Sequence, residues 1–296
     1  GYPDPSAKGN GYRRLHRIQP QDRKPVGYRN RTWIAWLERQ VYQSHPVMGW
    51  ITRLHSAFST KSAYELSMTY QLYIGDRTFS SWSLRGWLML EKFDLPYNAT
   101  MVGLYSGTMQ ADLAHLQPAR TVPVMQTAAG HVVTDSLAMA ETLVEENPGV
   151  NLYPRDPAAR ALARSITAEM HSGFGALRSV CPMMLAHCYA GFAVSESVRR
   201  DLARIQELWA LAKARHGASG PWLFGEYTLA DVFYAPVAMR NTSYGLPVSE
   251  PAQTYENTHL NDPALLHWRA EGLKDSYDPW PYPSDLARKP WPDGKN

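Results

Sequence analysis

Two adjacent serines, Ser80 and Ser81, lie where a short predicted strand gives way to a predicted helix. A serine hydroxyl at the start of a helix caps backbone N–H groups of the first turn in many proteins. The same hydroxyl can instead donate a hydrogen bond to a bound thiolate, whose negative charge the helix dipole also stabilises. The residue types alone leave both roles open for this pair.

A second candidate binding element is Val122-Pro123. If this peptide bond is cis, Val122 turns its backbone N–H and C=O toward a ligand, which then pairs with it as an added strand. An ordinary trans proline that opens an edge strand is the alternative. The cis form is the prediction that we favour.

The third candidate element is Asp135-Ser136, where a predicted strand ends and a helix begins. The backbone N–H and the hydroxyl of Ser136 can bind a carboxylate, because a helix N-terminus is a natural site for anions. The Asp135 carboxylate suits an amino group. A plain helix cap is again the alternative, and one residue can serve both purposes.

Regular elements that could position these residues begin after Met68. Short apolar runs bounded by turn residues predict four strands, at 70–74, 97–104, 122–126 and 131–135. Helical spacing of apolar residues predicts helices at 81–93 and 136–147. The order β-α-β-(α)-β-β-α predicts a small mixed sheet covered by helices, over residues 68–150.

Strand signals stop beyond Asp156, and helical spacing takes over. Helices are predicted in 158–169, 198–212, 228–239 and 262–274. Residues 156–275 are therefore predicted to form an all-helical domain. The Pro- and Trp-rich tail, 276–296, is predicted to be extended and has no assigned chemistry.

The composition limits the classes of protein to which this chain can belong. Of its 296 residues, 44% are hydrophobic, and ten Trp and seventeen Tyr suit a protein that binds organic molecules. No apolar run reaches the roughly 18 residues that span a bilayer, so no membrane span is predicted. Cys181 and Cys188 form no CxxC pair, which argues against a disulfide framework or a metal site and favours a reducing compartment.

The first 67 residues differ from the rest in charge. They hold eleven Lys and Arg against four Asp and Glu, whereas the whole chain has a net charge of only +3. This basic, Gly- and Pro-rich segment is predicted to be poorly structured. It could be a targeting or interaction arm, a weak binder of anionic surfaces, or an over-extended or fused reading frame. We favour the last, because Met68 lies directly before the first strand.

Four motifs, in this order along the chain, resemble the glutathione transferases. Residues 73–85 (YIGDRTFSSWSLR) resemble the start of serine-type bacterial members and the SSCSxR stretch of the zeta class. Residues 117–124 (QPARTVPV) resemble the family's NPxGxVPxL segment, whose proline is cis. Residues 134–138 (TDSLA) resemble its acidic/Ser pair, and residues 223–231 (LFGEYTLAD) resemble a helix start in its helical domain. The resemblance implies a thioredoxin-like α/β domain followed by an all-helical domain.

The resemblance also implies a role for each candidate. It implies glutathione as co-substrate, no metal, and Ser80 as the donor to the glutathione thiolate, with Ser81 left open. The glutathione-binding residues that it implies are Arg120, Val122, Pro123, Asp135 and Ser136. Arg120 would meet the glycyl carboxylate, although a solvated loop arginine is almost as good an interpretation.

A pocket for the electrophile is expected beside the serines. The expected lining residues are Phe79, Met170, His171, Phe174 and Arg178. For His171, a buried packing role is the more common fate of such a residue. Trp82 stands where the zeta class has cysteine and Leu84 where it has tryptophan, which weakens the case for maleylacetoacetate isomerase, a zeta activity.

The predicted function is therefore conjugation of glutathione to small hydrophobic electrophiles in detoxification, by a cytoplasmic homodimer. One alternative is glutathione-dependent cis–trans isomerisation of a small dicarboxylate, for which Arg178 and Arg120 could serve. The other is a transferase-fold module without catalysis that acts in binding or assembly. Nucleic-acid binding is not expected, because only the first segment is basic.

Overall fold

The computed structural model describes residues 69–217, 220–275 and 285–292. The predicted N-terminal extension, 1–67, lies outside the described residues, as does most of the tail.

A four-stranded mixed sheet forms the centre of the first half. Its strands are β1 (Tyr70–Ile74), β2 (Tyr97–Met101), β3 (Val124–Gln126) and β4 (Val132–Val133), in the order β2-β1-β3-β4. The central strand β1 runs parallel to β2 and antiparallel to β3. Tyr70, Leu72 and Ile74 alternate with less buried residues and point into the core, as the period of a strand requires.

Three helices belong to this half. They are α1 (Ser81–Glu91), α2 (Met109–Asp112) and α3 (Ser136–Glu146). The observed order matches the predicted β-α-β-(α)-β-β-α, and each predicted strand and helix of this half is present, with ends that differ by a few residues.

The second half is mainly helical. Its helices are α4 (Pro157–Ser172), α5 (Gly175–Val180), α6 (Glu196–His216), α7 (Leu229–Tyr244), α8 (Glu250–Leu260) and α9 (Pro263–Lys274). The thioredoxin-like half followed by a helical half is the predicted fold class.

Helix α7 forms the centre of the helical half, and nearly all of its residues are buried. Thr228 and Asp231 form the capping box at its start. It packs against α4 on one side and against α1 on another. Because α7 contacts α1, its side chains can reach the residues at the start of α1.

The prediction that strands end at Asp156 is wrong in one place. Residues Cys188–Tyr189 (β5) pair antiparallel with Arg288–Lys289 (β6) from the tail. Each strand has only two residues, too few for a periodic signal, and the partners lie far apart in sequence.

None of the helices within the described ranges has the length and apolar character that would let it cross a bilayer.

Candidate functional site

A cleft of about 580 Å³ lies where the start of α1 meets the helical half. Its lining combines the serine pair, aromatic and apolar side chains and two arginines: Phe79, Ser80, Ser81, Trp82, Leu104, Tyr105, Val122, Gly175, Arg178, Ser179, Pro182, Met183 and Arg240. The fold thus brings Ser80, Ser81, Val122, Phe79 and Arg178, five of the residues singled out from the sequence, to one cleft.

Ser80 is the N-cap of α1 and is almost fully buried, at 5% exposure. Its Oγ accepts from the backbone N–H of Ser83 at 3.4 Å and donates to Ser83 Oγ at 2.8 Å. Ser83 Oγ also accepts from the backbone N–H of Gly75 at 2.8 Å. This network ties the end of β1 to the first turn of α1, so Ser80 serves at least as a structural cap.

Ser81 has a different environment. It is the first residue of α1 and is only partly buried. Its Oγ accepts a hydrogen bond at 3.0 Å from Nη2 of Arg240, which lies in α7 of the helical half. The serine pair therefore presents one hydroxyl bonded within the first half and one bonded across to the second.

The Val122–Pro123 peptide bond is cis, as the resemblance predicts. Among the described residues, the backbone hydrogen bonds outside helices and strands include none to Val122. Val122 thus lines the cleft, and its backbone N–H and C=O are in none of these bonds. A second cis bond, Gln117–Pro118, was not predicted.

Asp135 caps helix α3. Its Oδ1 accepts from the backbone N–H groups of Leu137 at 2.8 Å and Ala138 at 3.1 Å. The adjacent Ser136 is buried, and its Oγ has no hydrogen-bond partner among the described residues. A buried hydroxyl without a partner costs free energy unless a ligand or water satisfies it. The Ser136 hydroxyl is therefore available to a carboxylate at this helix start.

His171 joins this cap to the cleft's arginines. Its Nε2 lies 3.4 Å from Asp135 Oδ2, and its ring meets Trp82 edge-on at 5.4 Å between centroids. Burial lowers the pKa of His171, and the charges of Arg85 and Arg178 lower it further, while the Asp135 carboxylate acts in the opposite direction. The imidazole is therefore neutral near pH 7.

Arginines cluster around Trp82. The guanidinium carbons of Arg85 and Arg178 lie 4.8 and 4.7 Å from the centroid of its ring. Arg178 also donates to the backbone oxygens of His171 at 3.0 Å and Gly173 at 3.2 Å. Burial lowers the pKa of Arg85 well below its usual value, and the neighbouring charges of Arg240 and Arg178 add to this effect. The cluster makes this side of the cleft electropositive.

Three of the expected electrophile-pocket residues do not line this cleft. Met170 is fully buried in the core, Phe174 is 7% exposed in the same core, and His171 packs on Trp82 and Phe233. Leu104, Tyr105 and Met183 occupy the wall instead. Arg120 is exposed in the segment between the two cis bonds and is not among the residues that line the cleft.

Arg240 and Arg85 are site residues that the sequence analysis missed. Arg240 directly follows a mainly apolar stretch, VFYAPVAM, and a charge at the end of such a stretch in a helix is a signal that could have indicated it. Arg85 is the last residue of the motif at 73–85, and that motif gives it no role of its own. For neither arginine does the neighbouring sequence indicate which side chain it contacts.

Comparison with known proteins agrees with the geometry. Residues 79–146 match the family model of the glutathione S-transferase N-terminal domain. A probable maleylacetoacetate isomerase of Caenorhabditis elegans is 32% identical over 209 residues, which cover 69% of this chain and 95% of that protein. The maleylacetoacetate isomerase of Dictyostelium discoideum is 29% identical over 45% of this chain and 59% of that protein.

A solved structure shares the fold at lower sequence identity. A glutathione transferase homolog from Burkholderia gl BGR1, with bound glutathione, superposes with a TM-score of 0.51 at 23% identity, over 70% of this chain and 100% of that one. Together with the C. elegans relative, which is matched over nearly its full length, these findings identify the chain as a glutathione-dependent enzyme that belongs to the glutathione S-transferase family.

Proposed function

We propose that glutathione binds along the cleft with its thiol at the serine pair and its sulfur poised to attack small hydrophobic electrophiles. The observation that carries this proposal is that Ser80 and Ser81 open α1 in the same cleft that Val122 lines beside its cis bond. The cysteinyl backbone would pair with Val122. The γ-glutamyl group would lie at Asp135 and Ser136, whose unpartnered hydroxyl supports a ligand there.

The chemistry needed from the site is deprotonation of a thiol. A free thiol titrates near pH ~8.5, and each unit by which its pKa falls corresponds to about 1.4 kcal/mol. A serine hydroxyl at the start of α1 stabilises the thiolate by a hydrogen bond and the helix by its dipole. The positive charge of Arg178 in the cleft acts in the same direction.

The cleft wall also fits the second substrate. Phe79 and Tyr105 lie with ring centroids 5.8 Å apart, and Leu104 and Met183 complete an apolar side. Such a wall favours small hydrophobic electrophiles, which would meet the thiolate at the start of α1.

We also propose that the enzyme is a cytoplasmic homodimer that acts in detoxification. The two cysteines, Cys181 and Cys188, are buried free thiols, which supports a reducing compartment. A single peak at twice the monomer mass in light scattering is expected, and a monomer would contradict the homodimer.

The test of serine activation is the double variant S80A/S81A. Glutathione should still bind, because Val122, Asp135 and Ser136 hold the tripeptide. The pKa of the bound thiol should rise toward its free value, and turnover near neutral pH should fall on the order of ten- to a thousandfold. Ultraviolet absorbance of the bound thiolate, followed across pH, measures this shift directly.

The matched control is S195A, which removes a serine N-cap at the start of α6. Ser195 caps a helix as Ser80 does, but it does not line the cleft. A thiolate titration that changes equally in S195A and in S80A/S81A would mean that the pair is only a cap. An unchanged titration in the double variant would rule out serine activation.

A second function is favoured by the two arginines in the cleft. Arg178 and Arg240 line it, and no acidic residue of the described chain does, so the cleft suits an anionic substrate. The relatives in C. elegans and D. discoideum bear the name maleylacetoacetate isomerase. Glutathione-dependent cis–trans isomerisation of a small dicarboxylate is therefore the alternative activity.

The two proposed activities can be distinguished by the substrate that the enzyme converts. Turnover of an aryl halide with glutathione supports conjugation, whereas turnover of a maleyl diacid without conjugation of the aryl halide supports isomerisation. Under the second function, Arg178→Gln should raise the KM for the diacid more than it affects turnover of a neutral electrophile.

A further inference from the structure

Arg240 links the helical half to the first residue of α1. Its side chain is 5% exposed, and each of its nitrogens has an acceptor. Nε donates to Cys181 O at 3.0 Å, Nη1 to Pro236 O at 3.3 Å and Nη2 to Ser81 Oγ at 3.0 Å. The first two bonds fix the plane of the guanidinium, so the third is aimed at Ser81 by a rigid support.

The direction of that third bond determines what Ser81 can do. A guanidinium has only donors, so Ser81 Oγ accepts from Arg240 and its own proton is not used in this bond. A hydroxyl that accepts from a cation is polarised, and its O–H becomes a stronger donor. Ser81 is also the less buried of the two serines.

Ser80 is engaged elsewhere. Its hydroxyl proton is directed to Ser83 Oγ at 2.8 Å, within a network that also holds Gly75. To donate to a ligand, Ser80 would have to give up a bond that fixes the start of α1.

We propose that Ser81 is the hydroxyl that donates to the glutathione thiolate, and that Arg240 is the positioning residue that orients and polarises it. The inference rests on the proposed function and deepens it. It replaces the assignment of Ser80 that the family resemblance implies, and it gives Arg240 a role in activating the thiol.

Other titratable groups lie around Ser81. They are Arg85 and Arg178 beside Trp82, Cys181, and Tyr105 on the cleft wall. Burial raises the pKa of the Cys181 thiol to about 12, although the charge of Arg240 opposes the effect. Burial, with a smaller contribution from Asp76, also raises the pKa of Tyr105. A titration between about pH 6 and 9 therefore reports the bound thiol of glutathione.

The experiment is a set of thiolate titrations with bound glutathione and no electrophile. S81A should raise the pKa of the bound thiol by about one unit or more. S80A removes a cap but keeps Ser81 and Arg240, so it should raise that pKa by much less. S81T keeps a hydroxyl that can accept from Arg240, so the pKa of the bound thiol should stay close to its wild-type value.

The role of Arg240 is tested by R240Q alone and combined with S81A. R240Q should raise the pKa of the bound thiol, and R240K, which keeps the charge without the fork of donors, should give an intermediate value. The double variant R240Q/S81A should titrate like S81A alone, because Arg240 acts through Ser81. Circular dichroism checks that each variant is folded. S81A, S80A and S81T leave Arg240 in place and test the donor in any case.

Each contrary result has a distinct meaning. A shift in S80A but not in S81A overturns this inference and leaves serine activation intact. A further shift on adding R240Q to S81A means that Arg240 acts directly on the anion and not through Ser81. If no variant binds glutathione or the wild type shows no lowered thiol pKa, the proposed function itself fails.

Discussion

Two buried ionisable side chains of the helical half, Arg240 and Glu256, differ in their hydrogen-bond partners. The guanidinium of Arg240 has three oxygen acceptors. Glu256, on α8, is 2% exposed and accepts from the neutral amide of Asn241, the residue next to Arg240. Burial raises the pKa of Glu256 to about 8, and the bond from Asn241 opposes this only in part. Glu256 is therefore protonated in the folded protein at neutral pH.

A pH dependence of stability follows from Glu256. Its folded pKa of about 8 exceeds the unfolded value of 4.5, so its contribution is complete below pH 4.5 and is lost as pH rises toward 8. We expect the free energy of unfolding to fall by on the order of 1–2 kcal/mol between pH 6.5 and 8, and E256Q to abolish this fall. Urea unfolding at several pH values measures it.

Above pH 6.5, the fall in the free energy of unfolding can be assigned mainly to Glu256 and not to the ionisable groups near it. Burial lowers the pKa of His259 to about 3, so His259 is neutral in the folded state throughout this window. Burial raises the pKa of Asp231 to about 6, so Asp231 is already mostly ionised at pH 6.5 and contributes little to the slope above it. The control is E250Q, which alters an exposed carboxylate of the same helix. An identical pH slope in wild type and E256Q would show that the folded protein tolerates the ionised carboxylate.

At the residue scale, the sequence predicted the candidates that lie within local motifs. Ser80, Ser81, Val122 and Ser136 each stand at a recognisable junction of strand, loop and helix. Arg240 was not predicted, because its contact with Ser81 spans 159 residues of sequence and no local pattern encodes it. The same bond gives the two serines different partners, which their adjacent positions could not indicate.

At the scale of elements, the close packing of α1 on the cis proline holds the cleft together. Gly86 of α1 faces Pro123, and a Cβ added to Gly86 would lie 2.9 Å from Pro123 Cβ and 3.0 Å from its Cγ. Pro123 follows Val122, which lines the cleft. The absence of a side chain at Gly86 therefore sets how closely the helix approaches the proposed glutathione site.

G86A should consequently weaken glutathione binding. Alanine favours a helix over glycine by about 1 kcal/mol, but overpacking costs about 1–3 kcal/mol and must shift the rigid proline ring. We expect the KM for glutathione to rise several-fold, with a smaller change in kcat. G149A is the control, since a Cβ there meets no atom within 4 Å. Equal KM values for G86A and wild type would mean that Pro123 moves without consequence for Val122.

Helix α8 and the β5–β6 pair show why some elements were not predicted from the sequence. The buried side of α8 consists of Ala252, Tyr255, Glu256 and His259, so half of its inward residues are polar and the apolar period is lost. Strands β5 and β6 have two residues each and depend on one another. In contrast, β1 and α1 carry the regular apolar spacing that sequence analysis detects.

At the scale of the whole molecule, the C-terminal segment connects back to the loop before the serine pair. Trp291 is 9% exposed and lies 5.1 Å from the guanidinium of Arg269. Arg269 Nε donates to Leu185 O at 2.8 Å, and Leu185 N donates to Thr78 O at 2.8 Å. Through these contacts, residues 285–292 support the segment that leads into Ser80.

For the N-terminal segment, residues 1–67, the relevant observation is the pairing of the first described strand. The central strand β1 has a partner on each side, β2 and β3, so its pairing is complete within the described residues. The charge of residues 1–67 also has the opposite sign to that of the remaining chain. Residues 1–67 are predicted to be dispensable for the stability of the fold, whereas the tail is expected to contribute to it. Removing each segment in turn tests both predictions.

We expect a chain that starts at Met68 to keep the melting temperature and the glutathione affinity of the full chain. A chain that ends at Asp275 is the matched truncation, and it should melt lower because it loses β6 and the buried Trp291. Truncation of a buried Trp costs about 3–5 kcal/mol, and each kcal/mol lowers the melting temperature by roughly 2–4 °C in a protein of this size. Differential scanning calorimetry and a glutathione titration of both chains give the comparison. A large loss of stability or affinity on removing residues 1–67 would show that this segment packs on the transferase fold, and the interpretation as an over-extended reading frame would then be wrong.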